Sequence, residues 1–194
     1  SDVCSSDLVA AAVIRRGDVH FAQPRVVSIT KSTEWGTLYT AAEIRELAEV
    51  AHSHDLFLHM DGARISNAAA ALNVPIAEFT SAAGVDVLSF GGTKNGAIGA
   101  EAVVIMNPGR GVRLGHLAKQ SMQLSSKMRY NAAQFIALFG SDLWLQNAQH
   151  ANAMAARLAA GIDGLPGVQL MQPQRVNSLF VRLPKGVIKP LQDR

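Results

Sequence analysis

Residues 59–64 read HMDGAR, so the carboxylate of Asp61 and the guanidinium of Arg64 stand three residues apart where an apolar run ends. About thirty residues later, SFGGTKNG (89–96) sets Thr93 and Lys94 between glycines. Glycines let a backbone approach a ligand closely, the Thr93 hydroxyl suits a phosphate oxygen, and Lys94 offers an amine. A carboxylate and a lysine at such places suit pyridoxal phosphate. The aldehyde of that cofactor forms a Schiff base with a lysine, and its pyridine nitrogen needs an acidic partner to stay protonated. At about 3 Å and an effective dielectric of about 20 the Coulomb attraction of that acid and ring is roughly 5 kcal/mol before desolvation, enough to decide the protonation state.

Each motif alone is weaker than the pair. An isolated Asp-Gly is most often a turn, and GGTK on its own reads as a loop. Asn95 after Lys94, and the absence of the longer glycine spacing, argue against a nucleotide P-loop. His59 shares a strand face with Asp61 and is placed with the cofactor-binding residues, although a lone histidine in a strand is more often structural. A metal site built from His59, Asp61 and His52 or His54 is poorly spaced, and no metal is expected.

These residues need elements to position them. RVVSIT (25–30), LFLHMD (56–61) and DVLSFGG (86–92) read as strands, with AVVIM (102–106) after a short loop. In the second strand, alternation puts Phe57, His59 and Asp61 on one face and Leu58 and Met60 on the other. Between strands, Thr40 and Glu43 have the spacing of a capping box, and Ile44, Leu47, Ala48 and Ala51 follow at helical period. SNAAAALN and PIAEFTSAA also look helical, as do about 111–126 and 131–160, the last with a stripe of Leu145, Ala148, Ala151, Ala155 and Leu158. Alternating strands and helices predict a mainly parallel sheet covered on both faces. Ligands of such sheets sit beyond the carboxyl ends of the strands, where both motifs fall. After GLPG, VQLM and SLFVRL predict a small antiparallel sheet, and RLPKGVIKPLQDR shows no closing helix.

The formal charge of +3 arises from 18 Lys+Arg against 15 Asp+Glu without a basic run, so a nucleic-acid face is not indicated. No apolar stretch reaches the about 18 residues that span a bilayer, and no secretory leader pattern opens the chain, so a cytoplasmic protein is expected. Residues 1–8, SDVCSSDL, match a codon-by-codon reading of a common sequencing adapter. They are expected to be an artefact, which removes Cys4 from fold reasoning.

HMDGARISNAAAALNV, DVLSFGGTKNGAIGAEAVV and KQSMQLSSKMRY together resemble the low-specificity L-threonine aldolases, a branch of the fold type I pyridoxal-phosphate enzymes grouped with the β-eliminating lyases. The resemblance runs from about Val9 to Pro184. It implies an α/β fold in two parts: a large cofactor-binding domain over 9–140 with a mostly parallel sheet, and part of a small α+β domain over 141–194. It also implies that Lys94 carries the cofactor, that Asp61 faces its ring nitrogen, and that Arg64 lies near its phenolic oxygen and the substrate carboxylate. Arg129 of KMRY matches an arginine near the cofactor phosphate, often given across a dimer interface, so a homodimer or homotetramer is implied. The expected reaction splits L-threonine or L-allo-threonine into glycine and acetaldehyde. The family's phosphate-cradling loop and ring-stacking histidine are expected upstream of this chain and a further arginine downstream, so the chain alone is expected to be inactive. An aminotransferase or a β-eliminating lyase would share Asp61, Arg64 and Lys94 and stays open at this point, as does a non-catalytic fragment.

Overall fold

Thr40 starts the first long helix by closing a reciprocal cap. Its hydroxyl accepts from the Glu43 N–H at 3.2 Å, while the Glu43 carboxylate accepts from the Thr40 N–H at 2.6 Å. In the computed structural model, which describes residues 6–110 and 113–193, that helix is α2 (Ala41–Ser53), preceded by α1 (Ser6–Ala12) and strand β1 (Val26–Thr30). Its buried face is Ile44, Leu47, Ala48 and Ala51, the four residues that the helical period selects. Strand β2 (Phe57–Gly62) and strand β3 (Val87–Gly91) follow, separated by α3 (Ile65–Leu72) and two short 3-10 turns at Ile76–Phe79 and Ser81–Ala83. Residues 1–5, including Cys4, lie outside the described residues; Ser6–Leu8 open α1, in which Val9 is buried.

β1, β2 and β3 pair in parallel, and β4 (Glu101–Ile105) adds to β3 antiparallel. The sheet is therefore mixed. Only residues 92–100 join β3 to β4, shorter than the dozen or so residues that a parallel crossover takes, so the chain turns back. Ile29, Leu58, Met60 and Leu88 face one side and form a core with Ile44, Leu47 and Phe79. Register places Ser28 beside His59 and Asp61 beside Ser89 on the opposite side.

Beyond β4 come α4 (Leu114–Gln120), α5 (Met128–Phe139) and α6 (Leu143–Ile162). The helical stretch expected over 131–160 is thus two helices, broken at Gly140, where a Cβ would stand 2.5 Å from the Ile136 carbonyl oxygen. The stripe on α6 holds at Ala148 and Ala155, which are buried, but Leu158 is exposed. The small antiparallel sheet is present with two residues in each strand, β5 (Gln169–Leu170) and β6 (Val181–Arg182). The absence of a closing helix is corrected: α7 (Lys185–Gln192) starts after Pro184, with every residue exposed and with Pro190 inside it. Gly186 and Pro190 are poor helix formers, which is why the sequence conceals it. Among the described residues, no helix is long and apolar enough to cross a membrane.

Candidate active site

Asp61 is the next-to-last residue of β2, and its half-buried carboxylate lies on the face opposite Leu58 and Met60. One oxygen, Oδ1, accepts the Ala63 N–H at 2.9 Å. Among the described residues the second oxygen takes no hydrogen bond. The Asp61 main-chain oxygen accepts the Lys31 N–H at 2.9 Å, which ties the ends of β1 and β2 together. Gly62 has no room for a side chain, since a Cβ would come within 2.8 Å of Leu88 Cδ1 and the Ser89 carbonyl oxygen. The chain then turns, and Arg64 stands half-buried at the start of α3.

The lysine motif meets the aspartate motif directly. A Cβ on Gly91, the last residue of β3, would lie 2.8 Å from Ala63 Cα and 3.0 Å from its oxygen, so glycine is what lets the two strand ends touch. Lys94 follows on a three-residue turn, Thr93–Asn95. Both Thr93 and Lys94 are exposed, and among the described residues the Lys94 amine has no partner. Lys94 lines a cleft of about 310 Å³ with Asn67, Asn95, Asn147 and His150. Thr93 donates its N–H to Glu101 Oε1 at 3.2 Å.

His59 is held on both sides, Nδ1 with Ser28 Oγ at 2.8 Å and Nε2 with Ser89 Oγ at 2.9 Å. Sequence reasoning passed over both serines, although each is the polar residue in the middle of an otherwise apolar strand. His52 is engaged elsewhere, with Asp86 at 2.8 Å. Among the described residues, no three His, Cys, Asp or Glu side chains form a group that could hold a metal. Arg129 is not among the residues lining the Lys94 cleft, although Glu101, which takes the Thr93 N–H, lines the cleft that Arg129 lines. Arg129 is exposed on α5, and its cleft of about 510 Å³ is lined also by Met128, Phe135 and Ile136.

A second lysine was not foreseen. Lys31, the residue after β1, is 0% exposed; its ammonium donates to the Tyr39 carbonyl oxygen and lies 4.4 Å from the centre of the Phe79 ring. Burial pushes its pKa down from 10.5 to about 8, against the pull of Glu43, which raises it.

The family described as "Beta-eliminating lyase" matches residues 3–185. The chain belongs to that family. Relatives within reach of it include the low specificity L-threonine aldolase of Pseudomonas aeruginosa, 42% identical over 181 residues, covering 93% of this chain and 52% of the relative. The enzyme of the same name from Pseudomonas sp. (strain NCIMB 10558) is 39% identical over 186 residues, covering 96% of this chain and 54% of the relative. The solved threonine aldolase of Leishmania major superposes with a TM-score of 0.89 at 30% identity, over 98% of this chain and 55% of that one. The chain spans about half the length of the curated relatives it matches. Its mixed sheet with flanking helices is the α/β fold of that threonine aldolase structure, a fold type I architecture.

The residues present in this member of the family fit pyridoxal phosphate. Among the described residues Asp61 has a carboxylate oxygen to spare and Lys94 an unengaged amine, and glycines at 62 and 91 let the two strand ends approach where side chains would hold them apart.

Proposed function

We propose that this protein is a pyridoxal-phosphate-dependent aldehyde-lyase that cleaves L-threonine and L-allo-threonine to glycine and acetaldehyde. The observation that carries the reading is the close approach of Gly91 to Ala63, which brings together the strand ends that lead to Lys94 and carry the half-buried Asp61. The names and 39–42% identity of the Pseudomonas relatives favour aldol cleavage over transamination or β-elimination.

When bound, pyridoxal phosphate supplies an aldehyde for the substrate amine and a protonated ring that draws electrons from the substrate's Cα. Asp61 keeps the proton on the ring nitrogen, because its negative charge makes loss of that proton costly. Arg64 offers a planar guanidinium whose paired N–H groups suit a substrate carboxylate. Lys94 would hold the cofactor through its amine, and when not so engaged its Nζ could hold a proton. Thr93 adds a hydroxyl for a phosphate oxygen. His59, held by two serines, fixes the sheet surface on which the ring is to rest. Arg129 belongs in this reading to a neighbouring copy's site, within a homodimer or homotetramer. Its own surroundings support that: Tyr130 and Ile136 are 65% and 72% exposed on the same helix, surface that association would cover. In this reading residues 9–140 are part of a large cofactor-binding domain and 141–194 part of a small one.

The test is product analysis of the intact protein with L-threonine. Acetaldehyde and glycine are expected; pyruvate with ammonia, or a keto acid, would point to the other two chemistries. Lys94→Ala is expected to abolish the visible absorbance of the bound cofactor. Borohydride fixation of the cofactor to another lysine in that variant would show that Lys94 is wrongly assigned.

A further inference from the structure

Lys94 is carried on a turn that its glycines would leave loose. Gly92 and Gly96 bracket Thr93–Asn95, and Gly96 has φ +116. Two distant parts of the chain hold the turn in place. On one side Glu101, from β4, takes the Thr93 N–H. On the other side Asn95 donates Nδ2 to the Trp144 carbonyl oxygen at 2.9 Å, and Asn147 donates Nδ2 to the Asn95 carbonyl oxygen at 2.8 Å. Trp144 and Asn147 are three residues apart on α6 and so share one face of that helix.

The Asn95 side chain is buried, yet its Oδ1 has no hydrogen-bond partner among the described residues. A buried amide that leaves its acceptor unmet is a poor choice for stability alone. What it contributes is the bond to α6. The fit is close on the other side too, since a Cβ on Gly96 would lie 3.2 Å from Asn147 Nδ2.

We propose that Asn147 and Asn95 are positioning residues for Lys94. Their carboxamide bonds, from Asn95 to the Trp144 carbonyl and from Asn147 to the Asn95 carbonyl, lock the lysine turn to α6 and thereby set where the amine stands relative to Asp61. The inference rests on Lys94 being the cofactor-bearing lysine. Asn95 touches the turn from within it, and Asn147 acts through Asn95. Because α6 leads into residues 163–192, a shift of that helix moves the amine as well.

The experiment compares the intact parent protein with Asn147→Asp, which keeps the size but cannot donate, and Asn147→Gln, which can. Cofactor-free protein is mixed with pyridoxal phosphate and quenched with borohydride at timed intervals. The Lys94 amine condenses with the aldehyde, water leaves, and hydride reduces the C=N bond to an amine that peptide mapping locates. Attachment at Lys94 is expected to be about tenfold slower in Asn147→Asp and within about threefold of the parent in Asn147→Gln, as misplacement of a reacting group predicts. Reductive methylation of the cofactor-free proteins by formaldehyde and borohydride serves as the control, with exposed Lys119 and Lys127 as internal references. The Lys94 rate relative to those references is expected to stay within about twofold, because positioning governs reaction in the bound complex and not the amine's intrinsic reactivity. Attachment at the parent rate in Asn147→Asp overturns the proposal. So does an equal slowing in both variants accompanied by a lower melting temperature, which would make the bond purely structural. If the parent itself is not fixed at Lys94, the lysine assignment is wrong and this inference falls with it.

Discussion

Replacing Lys31 with methionine should stabilise this protein at neutral pH. The lysine is fully buried beside Phe79, and its pKa falls from 10.5 to about 8. At about 1.4 kcal/mol for each tenfold change, holding the charge in the folded state costs on the order of 3 kcal/mol relative to the unfolded chain. The sign follows from the direction. A lysine whose folded pKa is depressed carries that cost in full below about pH 8, and the cost fades as pH rises toward 10.5, where both states are neutral. Methionine fills similar volume without a charge, but it removes a donor to the Tyr39 carbonyl oxygen, a loss of about 1 kcal/mol. The net gain is expected to be about 2 kcal/mol at pH 7, falling to zero or slightly below near pH 10.5. For a chain of this length that is a rise in melting temperature of roughly 4–8 °C at pH 7. Urea unfolding of the parent and Lys31→Met at several pH values measures the difference directly. A variant less stable by the same amount at every pH would refute the reasoning and make the ammonium a net anchor for Tyr39.

Gly91→Ala should lower stability by about 1–3 kcal/mol, because the new methyl group meets the Ala63 backbone at 2.8 Å and a backbone cannot rotate away; urea unfolding checks it, and a neutral result would mean that the strand ends separate freely. Asp61→Asn in the intact protein should retain the fold and some cofactor but reduce acetaldehyde release by orders of magnitude, since a neutral amide does not favour the protonated ring. Activity within a few-fold of the parent would remove Asp61 from its assigned role.

What could be read from the sequence was governed by short range. The capping box of Thr40 and Glu43, the helical face of Ile44 to Ala51 and the alternation along β2 all depend on spacings of two to four residues, and all three hold. The turn-back at β4 depends on the length of residues 92–100, a signal present but outweighed by the strand and helix alternation before it. The Gly140 break was likewise visible but hidden within a long run of good helix formers. No local pattern announces that Asn147 reaches Asn95, 52 residues away, or that Ser28 and Ser89 meet His59 from opposite sides. Those contacts exist only once strand register and helix packing are fixed.

The two lysines show why residue type alone does not identify a site. Lys31 follows β1 directly and Lys94 follows β3 by three residues, so both lie just past the carboxyl ends of parallel strands. Their surroundings drive them to opposite states. Lys31 is carried inward, where its amine is spent on Tyr39 and its main-chain N–H on Asp61, so it braces the acid's strand from behind. Lys94 leaves its strand through Gly91 and Gly92, which let the chain pass close to Ala63 and Ala100, and it reaches an open cleft with its amine unengaged by any described residue. Glycines, rather than the lysine itself, mark the position proposed to be reactive: they allow the close approach of two strand ends and leave the turn to be fixed from outside. The same division runs along β2. Leu58 and Met60 hold the sheet to α2 while His59 and Asp61, one residue out of phase, carry the polar face, so a slip of one residue in register would exchange core for chemistry.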